Sequence, residues 1–527
     1  MSIQPVLIDG IWEKVSSLAK LFSAINPETK SKLDNQYPVS LLSDIEKALE
    51  ASHKVIEELH SESSDNIANF LEAFADNINF RSEELVKTAA LEAALPAESR
   101  LRSVELPRTI DQLRQAAYAA RDKSWCSATI DTKAKIRSKF APLPGPVAIF
   151  SPNNFPFAFN SCAGGDFASA IAAGNPVIAI ANQGHPETTK IFAEAALMAL
   201  KTSSLPQASV QMFYHLRQED CIKLVSHPLV GATAFTGSKN FGLRLKEAAD
   251  RAGKPIYVEM SSINPVIILP GALKERLEEI ALEFYNSCTL GVGQFCTKPG
   301  LIILLQDEKG ESFLQKTMEY FKSGLPGILL NEKVLNELIS SIRRMQQYGA
   351  KIVTGAKEVP GKGYCFLNTL LRTSGEKFLN HPEELQIEAF GPISLFVFAK
   401  DFNQLKKITT LLNGNLTGTI YSHSKDLDDI LYSQVELILR EKVGRLLNDK
   451  MPTGVAVSPA MHHGGPFPST GHPGFTSVGI PASLIRFASR ECYDNVRQHR
   501  LPLELQNMNP TGRMWRFIDG KWSQKDI

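Results

Sequence analysis

A single cysteine stands in the stretch NSCTLGVGQFCTKPG (286–300), between Gly293-Gln294-Phe295 and Thr297-Lys298-Pro299-Gly300. Glycines and a proline at both ends predict a turn, and Cys296 within it is open to four readings: a small buried hydrophobe, a metal ligand, half of a disulfide, or a nucleophile. Four other stretches carry groups able to work with a thiol. Glu259 closes the apolar run PIYVEM, and Glu388 opens EAFGP. Asn154 lies in SPNNFPFAF just before Phe-Pro-Phe, and a loop Asn there ordinarily bonds its own backbone. In FTGSKNFG (235–242), Gly237 gives a tight exit from a strand and Ser238 caps a helix carrying Phe241, Leu245 and Ala248 on one face. Free N–H groups and a hydroxyl at a helix start suit a diphosphate, although an ordinary serine cap is the plainer reading. His462, His463 and His472 invite comparison with a metal site. No carboxylate or cysteine lies at short ligand spacing from them, and adjacent histidines in a loop rarely converge on one ion, so no metal is assigned.

The elements that must hold these groups are legible in the alternation of the chain. Short apolar runs at 146–150, 175–181, 210–215, 231–237, 255–260 and 264–270 alternate with helix-length segments near 160–173, 186–201, 217–226 and 239–252. Near-continuous apolar strands between helices predict an α/β fold with a parallel sheet covered on both faces, binding ligands beyond the carboxyl ends of its strands. The first 120 or so residues read as mostly helical, with runs from 43 to 59, 64 to 80 and 82 to 95. A second α/β region spans about 271–455, with strands near Ile302–Leu305, Ile352–Thr354, Leu395–Ala399 and Thr419–Tyr421. A long ordered loop is expected at 451–482. Residues 121–139 form a poor core element alone and read as an exposed hairpin seeking a partner on another subunit.

Composition narrows the function. The chain has 527 residues, 57 Lys+Arg against 56 Asp+Glu, and a formal net charge of +1. That balance lacks the basic footprint of a nucleic-acid binder. No run is long enough to span a bilayer, and the first residues lack the features of a secretory signal, so a cytoplasmic protein without membrane partners is expected. Seven scattered cysteines, an odd number without any C-x-x-C, argue against a disulfide framework and a cysteine-rich zinc site. The usual G-x-G-x-x-G dinucleotide fingerprint is missing.

Taken in order, NFP (154–156), FTGSKNFG, VEMSSINPVI (258–267), GQFC (293–296) and EAFGP (388–392) resemble the motif series of the aldehyde dehydrogenase superfamily, and the likeness runs from LIDGIW (7–12) onward. GQFCTKPG, HGGPFPST (463–470), FTSVG (475–479) and NPTGRMWRFIDGKW (509–522) are similar to one branch, the 2,5-dioxovalerate (α-ketoglutaric semialdehyde) dehydrogenases and their NADP-dependent fatty aldehyde relatives. The resemblance implies NAD- or NADP-dependent oxidation of an aldehyde, in this branch an oxo-acid semialdehyde, to the carboxylate. Cys296 would attack the carbonyl, Asn154 would hold the oxyanion with the Cys296 backbone N–H, and Glu259 would activate water against the thioester. Glu388, Gly237, Ser238 and Pro152 would border the cofactor. Where the family usually carries a lysine for the adenosine ribose this chain has Ile180, and a carboxylate that often follows three residues later is Gln183; His185 is a possible substitute cation. The resemblance also implies a homodimer or homotetramer. It divides the chain into a Rossmann-type NAD(P)-binding domain (1–121 and 143–270), a catalytic domain (271–482), and an oligomerisation hairpin with its tail (122–142 and 483–527). Loss of the lysine leaves two rivals: a cofactor-impaired, thioesterase-like enzyme, and a non-catalytic ligand-binding relative.

Overall fold

A computed structural model describes residues 2–14, 20–361 and 363–527. Two seven-stranded sheets dominate. In the first, strands run in the order 256–259, 232–236, 147–150, 177–180, 210–213, 6–8 and 11–13. The first five are parallel, and the 6–8/11–13 hairpin closes the far edge antiparallel. Strands Val147–Phe150 and Val177–Ile180 are buried at every position, which is why they read as continuous apolar runs rather than alternating ones. Helices Gly165–Ala172, Pro186–Thr202, Gln218–Val225 and Lys239–Arg251 lie between the strands as expected.

The second sheet runs 351–354, 369–374, 393–399, 301–305, 265–268, 415–421 and 443–448. Strand Pro265–Ile268, grouped with the first sheet in the sequence, pairs instead with Leu301–Leu305 and Asn415–Tyr421. Between Glu259 and Pro265 the chain therefore crosses from one sheet to the other, and the crossing carries Ser262 and Asn264.

The N-terminal region is helical only from residue 42; strands 6–8, 11–13, 20–22 and 37–40 precede the helices. Asp9 (φ 51°) and Gly10 (φ 71°) make the first of these a tight hairpin. The 121–139 segment does form a hairpin, Thr129–Asp131 against Ile136–Pro142, and it finds partners in its own chain. Ala488–Asp494 pairs with one strand and Arg516–Ile518 with the other, giving a five-stranded sheet over a small core of Cys126, Ile130, Leu501, Leu505 and Met514.

Candidate active site

Glu259 ends an edge strand of the first sheet, paired with Thr236, so Glu259 and Gly237 emerge side by side; Gly237 N–H donates to the Glu259 carbonyl at 3.1 Å. The long 451–482 loop returns to the same strand end. Met260 N–H donates to Ser469 O at 2.8 Å and Gly471 N–H to Val258 O at 3.0 Å. That stitching brings His463 and Ser477 onto the Glu259 carboxylate. His463 Nε2 lies 3.0 Å from Glu259 Oε1 and 3.4 Å from Cys296 Sγ, while the Ser477 hydroxyl donates to Glu259 Oε2 at 3.1 Å.

The Cys296 loop is fixed from beneath. Asn264, in the left-handed region at φ 49°, donates from Nδ2 to the carbonyls of Cys296 (2.8 Å) and Lys298 (2.9 Å). Asn415 Oδ1 accepts from the backbone of Ile263 and Asn264, so the crossing between sheets becomes the anchor of the nucleophile loop. Gly293 is demanded by space as well as conformation: its φ is 66°, and a Cβ would lie 2.1 Å from the Gly391 carbonyl oxygen. GQFC and EAFGP are thus pressed together at their glycines. Asn154 Nδ2 donates to Gln294 O at 2.9 Å, leaving its second N–H free to point elsewhere. The Cys296 backbone N–H has no partner among the described residues. Arg100 lies over Phe155 (4.4 Å) and Phe295 (4.5 Å) and pairs with buried Glu105, whose Oε1 accepts from Phe157 and Ala158 N–H. This staple joins the Asn154 loop to the cysteine loop.

The charges are arranged around an ionised Glu259. Burial pushes its carboxyl up, but His463, Ser477 and the Cys296 thiol together hold it below its ordinary value. Burial first, then Glu259 and Glu388, push the Cys296 thiol well above its ordinary value, and Arg108 pulls the other way. The thiol is therefore protonated at rest and needs a base beside it. Cys288, fully enclosed in the core of the second sheet, is pushed up to about 12 by burial, with the Lys298 ammonium opposing. Glu388 is raised to about 7 by burial, with the Lys298 ammonium and hydrogen bonds from Ser261 and Ser262 opposing.

Other expected positions separate. Of the three histidines only His463 reaches the site; exposed His472 stacks edge-on to Tyr257 at 5.4 Å. The ligating atoms of Glu259, Cys296 and His463 all lie within 4.8 Å of one another, close enough for one soft divalent ion. Sequence spacing gave no sign of this, because the fold brings Glu259 and Cys296 to His463 across 204 and 167 residues. Phe155, Phe159, Phe295 and Val478 form an apolar cluster beside Cys296, with Val455 and Met461 packed on it. This cluster walls an apolar funnel; Phe157 lies outside it in the main core, and Phe467 is 62 % exposed.

On the cofactor side, Ser238 occupies the N-cap of helix Lys239–Arg251, yet its side chain makes no capping bond and the first turn carries no acid. Free amides and an uncommitted hydroxyl beside Gly237 fit a diphosphate. Ile180 is 4 % exposed and packed in the main core, whereas Gln183 is exposed. His185 is fully buried, its Nε2 2.9 Å from the Pro152 carbonyl, and burial lowers its pKa. It is a neutral strut for the Pro152 loop and cannot replace the missing lysine's charge.

The Aldehyde dehydrogenase family model matches residues 12–439. The chain is 35 % identical over 523 residues to "Alpha-ketoglutaric semialdehyde dehydrogenase 2" of Azospirillum brasilense, covering 97 % of this chain and 98 % of that protein. It is 34 % identical over 526 residues to "Alpha-ketoglutaric semialdehyde dehydrogenase" of Acinetobacter baylyi, with 97 % and 98 % covered. Lactaldehyde dehydrogenase from Escherichia coli shares the fold at a TM-score of 0.79 and 20 % identity, covering 93 % of this chain and 98 % of that one. A 1-pyrroline-5-carboxylate dehydrogenase from Thermus with bound NAD does so at 0.80 and 22 %, with 93 % and 92 % covered. Nearly the whole length of the chain enters these matches, and it belongs to the aldehyde dehydrogenase family, an NAD(P)-dependent oxidoreductase of aldehydes.

Proposed function

We propose that the chain oxidises an oxo-acid semialdehyde, 2,5-dioxovalerate or a close analogue, through a thioester on Cys296. The observation that carries this reading is the convergence of Cys296 Sγ and Glu259 Oε1 on His463 Nε2, at 3.4 and 3.0 Å. The full-length likeness to two α-ketoglutaric semialdehyde dehydrogenases supports the substrate class.

In this reading the ionised Glu259 takes the Cys296 proton as sulfur attacks the aldehyde carbon, and the His463 N–H steadies the thiolate while it lasts. The oxyanion is met by the free Asn154 N–H and the Cys296 backbone N–H, donors set where charge develops. When bound, the nicotinamide supplies a hydride acceptor. Gly237 and Ser238 would hold its diphosphate and Glu388 a ribose, with Pro152 shaping the crevice. Ile180 offers no polar atom and Gln183 no charge to the adenosine end. Glu259 gives the first proton up to solvent, and once the thioester stands on Cys296 the re-ionised carboxylate draws a proton from water as the water oxygen attacks the acyl carbon. The carboxylate leaves and the thiol recovers its proton. The first sheet and its helices form the cofactor domain in this account, and the second sheet carries the nucleophile.

The chain works in the cytosol, a reading supported by seven cysteines of which none is held in a disulfide among the described residues. It assembles as a homodimer or homotetramer through the five-stranded sheet, whose Trp515 and Trp522 are 47 % and 58 % exposed. Among the described residues no helix is long and apolar enough to cross a membrane.

The test follows absorbance of the reduced cofactor with 2,5-dioxovalerate and a panel of neutral aldehydes, using NAD and NADP in turn. Cofactor reduction with the dioxo acid at higher kcat/KM than with neutral aldehydes of equal length is expected. Reduction with neutral aldehydes alone would overturn the substrate assignment.

A further inference from the structure

Two arginines beside the apolar funnel carry no counter-charge. Neither Arg108 nor Arg445 forms an ion pair among the described residues, although 26 ion pairs are found there. Arg108 lies on helix Leu106–Asp122, its guanidinium 5.2 Å from the centre of the Phe159 ring, and that ring is 6.0 Å from His463. Its Nη1 donates to Val455 O at 3.0 Å. Its Nε and Nη2 are withdrawn from solvent and have no partner among the described residues. Arg445, on strand Val443–Asn448, donates from Nη2 to the carbonyls of Pro452 (2.9 Å) and Gly454 (3.2 Å), and its Nη1 lies 3.7 Å from Met461 Sδ. Its buried Nε is likewise unpartnered. Both side chains are thus tied to one segment, 452–461, whose Val455 and Met461 pack on the funnel cluster. Arg100, by contrast, is committed to Glu105 and the Asn154 carbonyl.

A guanidinium withdrawn from water without a counter-ion is costly, and a hydrogen-bonding edge left empty adds to that cost. The empty edge has a specific shape. Nε and Nη2 of one guanidinium are the two parallel donors that meet both oxygens of a carboxylate. The Phe159 ring that Arg108 covers packs against Phe155, itself packed on Phe295, and lies beside His463, the neighbour of Cys296 Sγ at 3.4 Å.

We propose that the Nε–Nη2 edge of Arg108, assisted by Arg445, receives the carboxylate at the far end of the substrate while Cys296 takes its aldehyde. These arginines would then set the preference for acid-bearing semialdehydes over neutral aldehydes of equal length. The proposal rests on the reading of Cys296 as nucleophile and of an acid semialdehyde as substrate. Both arginines are positioning residues; neither handles a proton or hydride.

The experiment measures kcat and KM for 5-oxopentanoate and for pentanal at saturating cofactor, in wild type, Arg108→Met, Arg108→Lys and Arg445→Met. The ratio of kcat/KM for the acid over the neutral aldehyde should fall by about tenfold or more in Arg108→Met, the scale of one charge-assisted pair. The fall should lie mainly in KM, with Arg108→Lys intermediate because it keeps the charge and loses the fork. Arg445→Met should show a smaller fall in the same direction. An unchanged ratio in both methionine variants would overturn the clamp while leaving the oxidation itself standing. A second measurement needs wild type alone: phenylglyoxal modification mapped by mass spectrometry, with and without glutarate. Protection of Arg108 and Arg445 by glutarate is expected, and equal modification with and without it would overturn the proposal. If wild type oxidised neither aldehyde, the functional reading would fall, and glutarate protection would still decide the anion site.

Discussion

His463 Nε2 sits 3.0 Å from Glu259 Oε1, a contact between residues 204 positions apart and both almost wholly buried. It explains how a carboxylate that burial alone would neutralise stays ionised next to a thiol. Removing the imidazole should therefore disturb both partners. Loss of one charge-assisted hydrogen bond is worth about 1.5–3 kcal/mol, or about 10- to 100-fold. His463→Gln should lower kcat/KM within that range. Its acid limb should also move to higher pH, because Glu259 loses a group that lowers its pKa. A pH–rate profile superimposable on wild type would remove His463 from the account.

The same cluster should make the enzyme sensitive to a soft divalent ion. Thiolate, imidazole and carboxylate oxygen within 4.8 Å of one another are a zinc-type donor set. Added zinc should inhibit aldehyde oxidation, EDTA should restore it, and His463→Gln should be inhibited less than wild type. Equal inhibition of the two proteins would locate the zinc effect elsewhere.

Thiol reactivity should sort the cysteines. Native protein treated with iodoacetamide should be labelled at Cys296 and at exposed Cys492, and not at Cys288. Labelling of Cys296 should quicken as pH rises, since its thiol lies above the usual range and only the thiolate reacts. Cys288→Ala should keep activity and cost about 1 kcal/mol of stability, the scale of a small core truncation. Inactivation by modification of Cys288 alone would reverse the assignment.

How much of this was legible in the sequence depends on the range of the interaction. The alternation of apolar runs gave the parallel strands of the first sheet because each is buried on both faces. It could not say that Pro265–Ile268 belongs to the second sheet, since its apolar run looks the same in either. The Asp9-Gly10 turn was a local signal of the N-terminal hairpin, and the short strands around it are easily submerged by the helices that follow. Cys296, Glu259, Asn154 and Glu388 stood out through their motifs. His463 did not, because its partners are remote in sequence and local ligand spacing pointed away from it. Asn264 was hidden for a similar reason: its role is to tie backbone carbonyls. Ile180 and Gln183 were noticed as departures, and the structure adds that the first faces the core and His185 supplies no charge.

Gln183 offers a direct test of the adenosine end. It is exposed, so a new carboxylate there would be screened and worth no more than about 1 kcal/mol. Gln183→Glu should weaken NADP by about two- to fivefold at low salt and leave NAD within error. Equal loss for both cofactors would show that the residue does not face a 2′-phosphate.

Glu388 should leave a mark on stability. Its folded pKa, about 7, lies above the ordinary carboxylate range, so the unfolded chain releases its proton first as pH rises. The native state loses stability between the unfolded value and about 7, and Glu388→Gln removes that loss. Thermal melts should show the variant gaining on wild type at pH 8 relative to pH 5. A variant that falls behind wild type at pH 8 would mean that the Lys298 ammonium outweighs burial.

The central claim is that Glu259 hydrolyses an acyl group carried by Cys296, and a trapped intermediate tests it most directly. Glu259→Gln should be mixed with 5-oxopentanoate and cofactor at pH 8.5, where the thiolate forms with less need of the carboxylate, then quenched in acid and digested. A rapid burst of reduced cofactor, of at most one equivalent per site, should precede slow turnover. Mass spectrometry should find the acyl group on the peptide containing Cys296. Full turnover without a burst, or an acyl group on any other residue, would contradict the account.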